Sequence, residues 1–91
     1  GFSFRVHATP GHTDGGVCLE CEDVIFTGDT LFRGSCGRTD LDGGSVDNLM
    51  ASLKKLCEIS GDREVYTGHM DHTTLDRERS VNPYCRAAMG L

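Results

Sequence analysis

The run at 24–30, Val-Ile-Phe-Thr-Gly-Asp-Thr, constrains this chain most, because three β-favouring apolar residues lead to a glycine followed at once by a carboxylate. The pattern predicts a buried strand whose end delivers Asp29 into a loop. Two other stretches carry a similar signal: Thr-Pro-Gly-His-Thr at 9–13 and Tyr-Thr-Gly-His at 66–69 each set a histidine at a turn. His12, Asp29 and His69 are therefore candidates for one metal site. Imidazole nitrogen and carboxylate oxygen together suit zinc, and also iron or manganese. A carboxylate has two oxygens and can bridge a pair of ions about 3.5–4 Å apart.

A chain of 91 residues makes one small domain with a thin core. At its start Phe2, Phe4 and Val6 alternate with Ser3 and Arg5, which predicts a half-buried strand over 2–7. Nothing upstream is there to pair with it, as if the chain opened in the middle of a fold. Fourteen acidic residues against nine basic ones give a formal charge of -5, which argues against a nucleic-acid partner, since a polyanion needs a basic stripe. No apolar run approaches the roughly 18 residues of a membrane span. Five cysteines, an odd number at irregular spacing, fit free thiols in a reducing cytoplasm better than a disulfide framework.

Along the chain, 17–21 and 24–27 flank Glu22-Asp23 and read as a hairpin. Cys18 and Cys21 have a zinc-ribbon spacing, but residues three apart on a strand face opposite ways and no second pair is present, so packing accounts for both thiols. His7 is expected to be satisfied by a neighbouring backbone group. Residues 31–44 read as a long loop without secondary structure of its own, a length that points to function or disorder. In it Arg38 is either a substrate clamp or an ion-pair partner that pins the loop, and Cys36 lacks the setting of a reactive thiol. Ser45 caps the clearest helix, with Val46, Leu49, Met50, Leu53, Leu56 and Cys57 on its apolar side, Ser52 on the polar side and Gly61 as the stop. A strand at 63–67 follows, then a loop in which His69 is a stronger ligand candidate than the more exposed His72. Residues 75–81 form a charged helical turn, which Asn82-Pro83 breaks before a short terminal segment. Strands that end in ligand-bearing loops, with a covering helix, make an α/β arrangement whose loops converge at one sheet edge.

Taken together, Thr-Pro-Gly-His-Thr at 9–13, Phe-Thr-Gly-Asp-Thr-Leu-Phe at 26–32, Gly-Arg-Thr-Asp at 37–40, Gly-His at 68–69 and Arg-Glu-Arg-x-x-Asn-Pro at 77–83 resemble the C-terminal half of a metallo-β-lactamase-fold hydrolase. Within that superfamily the resemblance is strongest to short type II glyoxalases, the hydroxyacylglutathione hydrolases. It implies half of an αββα sandwich, a mixed sheet with helices on one face, with the partial domain spanning 1–91. It also implies that His12 and His69 each serve one of two zinc ions and that Asp29 is the catalytic bridge between them. The family's His-x-His-x-Asp-His motif does not occur in these residues. For an intact protein the resemblance implies attack of a metal-bound hydroxide on a glutathione thioester of the S-lactoylglutathione type. The fragment alone is expected to be inactive, or to self-associate through bare sheet edges. The Cys-Gly-Arg-Thr-Asp loop also resembles that of iron-dependent persulfide dioxygenases, the alternative enzyme reading.

Overall fold

The computed structural model describes residues 3–69 and 71–91. The expected contributions of Phe2 to the first strand and of Met70 to the loop after 69 lie outside them. Strands β1 (Arg5–Ala8), β2 (Val17–Cys21) and β3 (Val24–Gly28) form an antiparallel meander. A hairpin of β4 (Leu31–Phe32) and β5 (Ser35–Cys36), helix α1 (Val46–Cys57), β6 (Glu64–Thr67), β7 (Thr73–Thr74), α2 (Leu75–Val81) and α3 (Pro83–Ala88) follow. The main sheet runs in the order β1-β2-β3-β6-β7, with β6 parallel to β3 and β7 antiparallel to β6. Because two antiparallel steps restore direction, β1, β3 and β6 all run the same way. The loops that leave them therefore emerge at one edge of the sheet.

One face of the sheet is covered. Cys18, Ile25 and Val65 share a core with Leu49, Leu53 and Leu56 of α1, Leu75 of α2 and Cys85 of α3. The other face is apolar and bare, with Val6 61%, Val17 49%, Phe26 45% and Tyr66 41% exposed. This corrects two expectations. The first strand turns its apolar side outward, Phe4 included, and the run at 24–27 is buried on one side only. The β2–β3 pairing of Cys21 with Val24 leaves Glu22 and Asp23 as the turn of the expected hairpin, and Glu22 takes φ 54 there.

Helix α1 begins as expected, with the Ser45 hydroxyl accepting from the Asn48 N–H at 3.2 Å. Its buried side differs by two residues: Val46 is exposed, while Ser52 is buried and donates to the Pro10 carbonyl at 2.7 Å. The helix ends at Cys57, with Glu58 as its C-cap, so Gly61 lies beyond the stop rather than at it. The stretch 31–44 is not all loop, since β4 and β5 pair across Arg33 and Gly34. The terminal segment is helical: the Asn82 side chain accepts from the N–H groups of Tyr84 and Cys85, and Pro83 occupies the first helical position, where its missing N–H costs nothing. Asn82-Pro83 thus ends α2 and starts α3.

Candidate metal centre

His12 lies between β1 and β2, Asp29 directly after β3 and His69 just beyond β6. The shared direction of β1, β3 and β6 brings all three to one edge. Asp29 Oδ2 is 3.6 Å from His12 Nε2, and Asp29 Oδ1 is 2.7 Å from His69 Nε2. Each carboxylate oxygen thus faces a different imidazole. Among the described residues, no group of three or more His, Cys, Asp or Glu side chains closes around a common point. The arrangement is a carboxylate flanked by two imidazoles, not a cage.

The loop that carries His12 is tied down on several sides. Thr9 N–H donates to the Gly16 carbonyl at 2.8 Å, and Ser45 N–H donates to the Gly11 carbonyl at 2.7 Å. Gly11 sits at φ 141, and a Cβ there would fall 2.4 Å from the Leu49 α-carbon, so no larger residue fits against α1. The buried hydroxyls of Thr9 and Thr30, 3.2 Å apart, join this loop to the one bearing Asp29. On the far side of Asp29, Gly68 N–H donates to the Gly28 carbonyl at 2.8 Å, which sets the start of the His69 loop.

His12 Nδ1 is 2.8 Å from the Arg38 carbonyl oxygen. A carbonyl only accepts, so Nδ1 carries the proton in that bond and the neutral ring turns a lone pair on Nε2 towards Asp29. Two acceptors at 3.6 Å call for a cation between them, either a proton or a metal. Two imidazoles about one carboxylate are a donor set that suits divalent ions. The 3.6 Å gap at His12 leaves room for one, whereas His69 Nε2, at 2.7 Å, is in direct hydrogen-bond contact with Asp29 Oδ1, so an ion on that side needs the His69 ring to draw back. A cleft of about 420 Å³ opens over the site, walled by Phe32, Ser35, Cys36 and Arg38. His69 is largely exposed within it, its ring centroid 6.0 Å from that of Phe32.

Arg38 takes up the ion pair that was one of its two expected roles. Its Nε and Nη2 donate to the two carboxylate oxygens of Asp40 at 2.7 and 2.8 Å, and hydrogen bonding to that guanidinium holds the Asp40 carboxyl down at about 2. Burial pushes the Cys36 thiol up, opposite to what a reactive thiol needs. His72 is exposed and stacks on Tyr66, with centroids 5.7 Å apart. His7 is paired, though not with the backbone as expected: its Nε2 lies 2.9 Å from Glu20 Oε1, and Arg63 Nε donates to Glu20 Oε2 at 2.9 Å. The His7 hydrogen bond and, against the opposing effect of burial, that of Arg63 lower the Glu20 pKa. The first strand is thus tied to β2 and to the segment before β6.

The chain and its fold have counterparts among known proteins. Residues 1–69 match the family model described as Metallo-beta-lactamase superfamily. The hydroxyacylglutathione hydrolase GloC of Haemophilus influenzae is 39% identical over 87 residues, which cover 92% of this chain and 41% of that protein. Among solved structures, a di-iron-bound form of TTHA1623 superimposes with a TM-score of 0.85 at 42% identity, over 89% of this chain and 42% of the other. The B3 metallo-beta-lactamase BLEG-1 gives 0.87 at 41% identity, over 92% and 42%. The chain spans about two fifths of the length of these relatives, and its sheet and helices form the corresponding part of their fold.

Proposed function

The chain belongs to the metallo-beta-lactamase superfamily, and from that premise we propose that it contributes His12, Asp29 and His69 to a two-metal hydrolytic centre acting on a glutathione thioester. The observation that carries this is the Asp29 carboxylate, with one oxygen towards the Nε2 of each histidine. Asp29 would bridge the ions, and His12 and His69 would each hold one. Divalent ions bound there supply acidified water and a polarised carbonyl. The residues of this chain provide the fixed frame. Asp29 sets the spacing, the His12 ring is locked through Nδ1, and Phe32 gives the cleft an apolar wall against which the acyl group can lie. A departing glutathione thiolate is stable, with an ordinary thiol pKa near 8.5, so no strong general acid is needed.

Each ion would have two protein ligands from this chain, about two short of a closed zinc shell. Weak metal binding and no turnover are therefore expected of the 91 residues by themselves. Complementation tests the reading. The chain is refolded with the N-terminal portion of the Haemophilus influenzae hydrolase and assayed for S-lactoylglutathione hydrolysis with zinc and, given the di-iron relative, with ferrous iron. Metal-dependent turnover that disappears in Asp29→Asn supports it. A metal-loaded complex that leaves the thioester intact, or one that consumes oxygen with a glutathione persulfide, overturns it.

A further inference from the structure

Segment 36–40 crosses the mouth of the site and touches the backbone of Asp29 and the side chain of His12. The Gly37 N–H donates to the Thr30 carbonyl at 3.1 Å, and a Cβ at Gly37 would fall 1.9 Å from the Asp29 carbonyl oxygen and 3.3 Å from His12 Cβ. The next carbonyl along, that of Arg38, is the acceptor for His12 Nδ1. Without it the ring has a competing choice, because Asp29 Oδ2 would draw the proton to Nε2. That tautomer puts hydrogen where a metal belongs. The position of the Arg38 peptide therefore decides which ring nitrogen of His12 carries the proton.

The peptide is held by the side chains on either side of Thr39. The parallel hydrogen bonds of Arg38 to Asp40 close a short ring of chain over 38–40 and restrict how the Arg38 carbonyl can turn. Both side chains are more than half exposed, at 61% and 67%, so the pair adds little to global stability. The Nε–Nη2 edge of Arg38 is occupied by Asp40, which leaves that edge unable to grip a substrate carboxylate as well.

We propose that the Arg38–Asp40 fork is a positioning device for His12, aiming the Arg38 carbonyl at Nδ1 so that the ring presents Nε2 bare. The metal consequence rests on the reading of His12 as a ligand, but the tautomer does not.

The test uses the ¹⁵N-labelled chain, metal-free, at about pH 8, above the imidazole range. Long-range ¹H–¹⁵N correlations report which ring nitrogen of His12 carries the proton. The wild type is expected to show the Nδ1–H form. Asp40→Ala and Arg38→Ala shift the population towards Nε2–H, and the isosteric Asp40→Asn, which retains one hydrogen bond, falls between. In the complemented complex the zinc affinity of the two alanine variants drops by roughly 10–100-fold, while the amide spectrum of each variant chain stays folded. Unchanged tautomer ratios in folded variants overturn the proposal. A tautomer switch in the alanine variants, with no zinc bound by the wild-type chain complemented with the N-terminal portion, supports the positioning role and overturns the metal reading instead.

Discussion

Glu78, buried without exposed surface, accepts a 2.7 Å hydrogen bond from the backbone N–H of Gly34, 44 residues earlier in the chain. Thr73 Oγ1 at 2.8 Å, Arg77 Nη1 at 3.0 Å and Asn82 Nδ2 at 2.8 Å complete its shell. One carboxylate thereby joins the β4–β5 hairpin, β7, α2 and the start of α3. The hairpin in turn carries Phe32 and Ser35 in the wall of the cleft. A residue outside the site holds part of the site in place.

Glu78→Gln is expected to destabilise the fold by about 2 kcal/mol in chemical denaturation, because the amide offers only one acceptor oxygen and turns its NH₂ towards donors. The pH dependence has a definite sign. Burial pushes the Glu78 carboxyl up, but the hydrogen bonds from Gly34, Asn82, Thr73 and Arg77 outweigh it and leave the pKa below the usual value. A depressed pKa in the folded state gives stability that is present above the unfolded value, about 4.3, and lost as pH falls through the lower folded one. The gap between wild type and Glu78→Gln should therefore narrow as pH falls below about 5. A gap that stays constant across that range would show that the ionised form is not the one stabilised.

Asn82 shares that network. Fully buried, it donates through Nδ2 to the Ser35 carbonyl at 3.0 Å as well as to Glu78, and its Oδ1 caps α3. Asn82→Ala should cost about 2–3 kcal/mol, from a lost cap plus a buried carboxylate and carbonyl left short of a donor. Combined with Glu78→Gln the losses should fall short of additive by more than about 0.5 kcal/mol, since the two side chains share one hydrogen bond. Additive losses in a double-mutant cycle would mean that the two act independently.

Much of this architecture is readable from the residues, and the exceptions have physical causes. The convergence of His12, Asp29 and His69 is legible because each follows a short β-favouring run at a turn, and runs of like direction end at one edge. The β4–β5 hairpin escapes because two-residue strands are too short to show a period. Ser52 lies on the buried side of α1, against its polarity, because its hydroxyl bonds the Pro10 carbonyl of the 9–16 loop, while Val46, in the first turn, is exposed. Glu78 sits among Asp76, Arg77 and Arg79 and reads as solvated surface, since nothing local marks partners at Gly34 and Thr73. The first strand misleads for the opposite reason: its apolar alternation is real, but it faces away from the helices.

The β2–β3 turn offers a stabilising change. Glu22, at φ 54, is the one non-glycine with positive φ among the described residues, and a glutamate gains nothing there to offset the Cβ crowding. Asparagine adopts this conformation more readily, so Glu22→Asn should raise stability by about 0.5–1 kcal/mol, read as a higher denaturation midpoint with an unchanged slope. A lower midpoint would indicate that Glu22 is held by contacts rather than tolerated.

Gly37 makes the sharpest link between packing and the proposed chemistry. It is buried, with the Asp29 backbone on one side and His12 on the other, and a methyl group 1.9 Å from the Asp29 carbonyl oxygen cannot be accommodated unless one loop moves. Relief by moving segment 36–40 outward would carry the Arg38 carbonyl away from His12 Nδ1. Gly37→Ala is therefore expected to cost about 1–3 kcal/mol of stability. In the complemented complex it should also lower metal affinity by about tenfold or more, in the way that loss of an orienting partner does. Leu53 is fully buried in the core, so Leu53→Ala, with a larger expected loss of about 2–5 kcal/mol, serves as the control for destabilisation by a core cavity. Isothermal titration of zinc into both variants, below their unfolding transitions, separates the two effects. Equal affinities in Gly37→Ala and Leu53→Ala would mean that segment 36–40 packs against the site without positioning it.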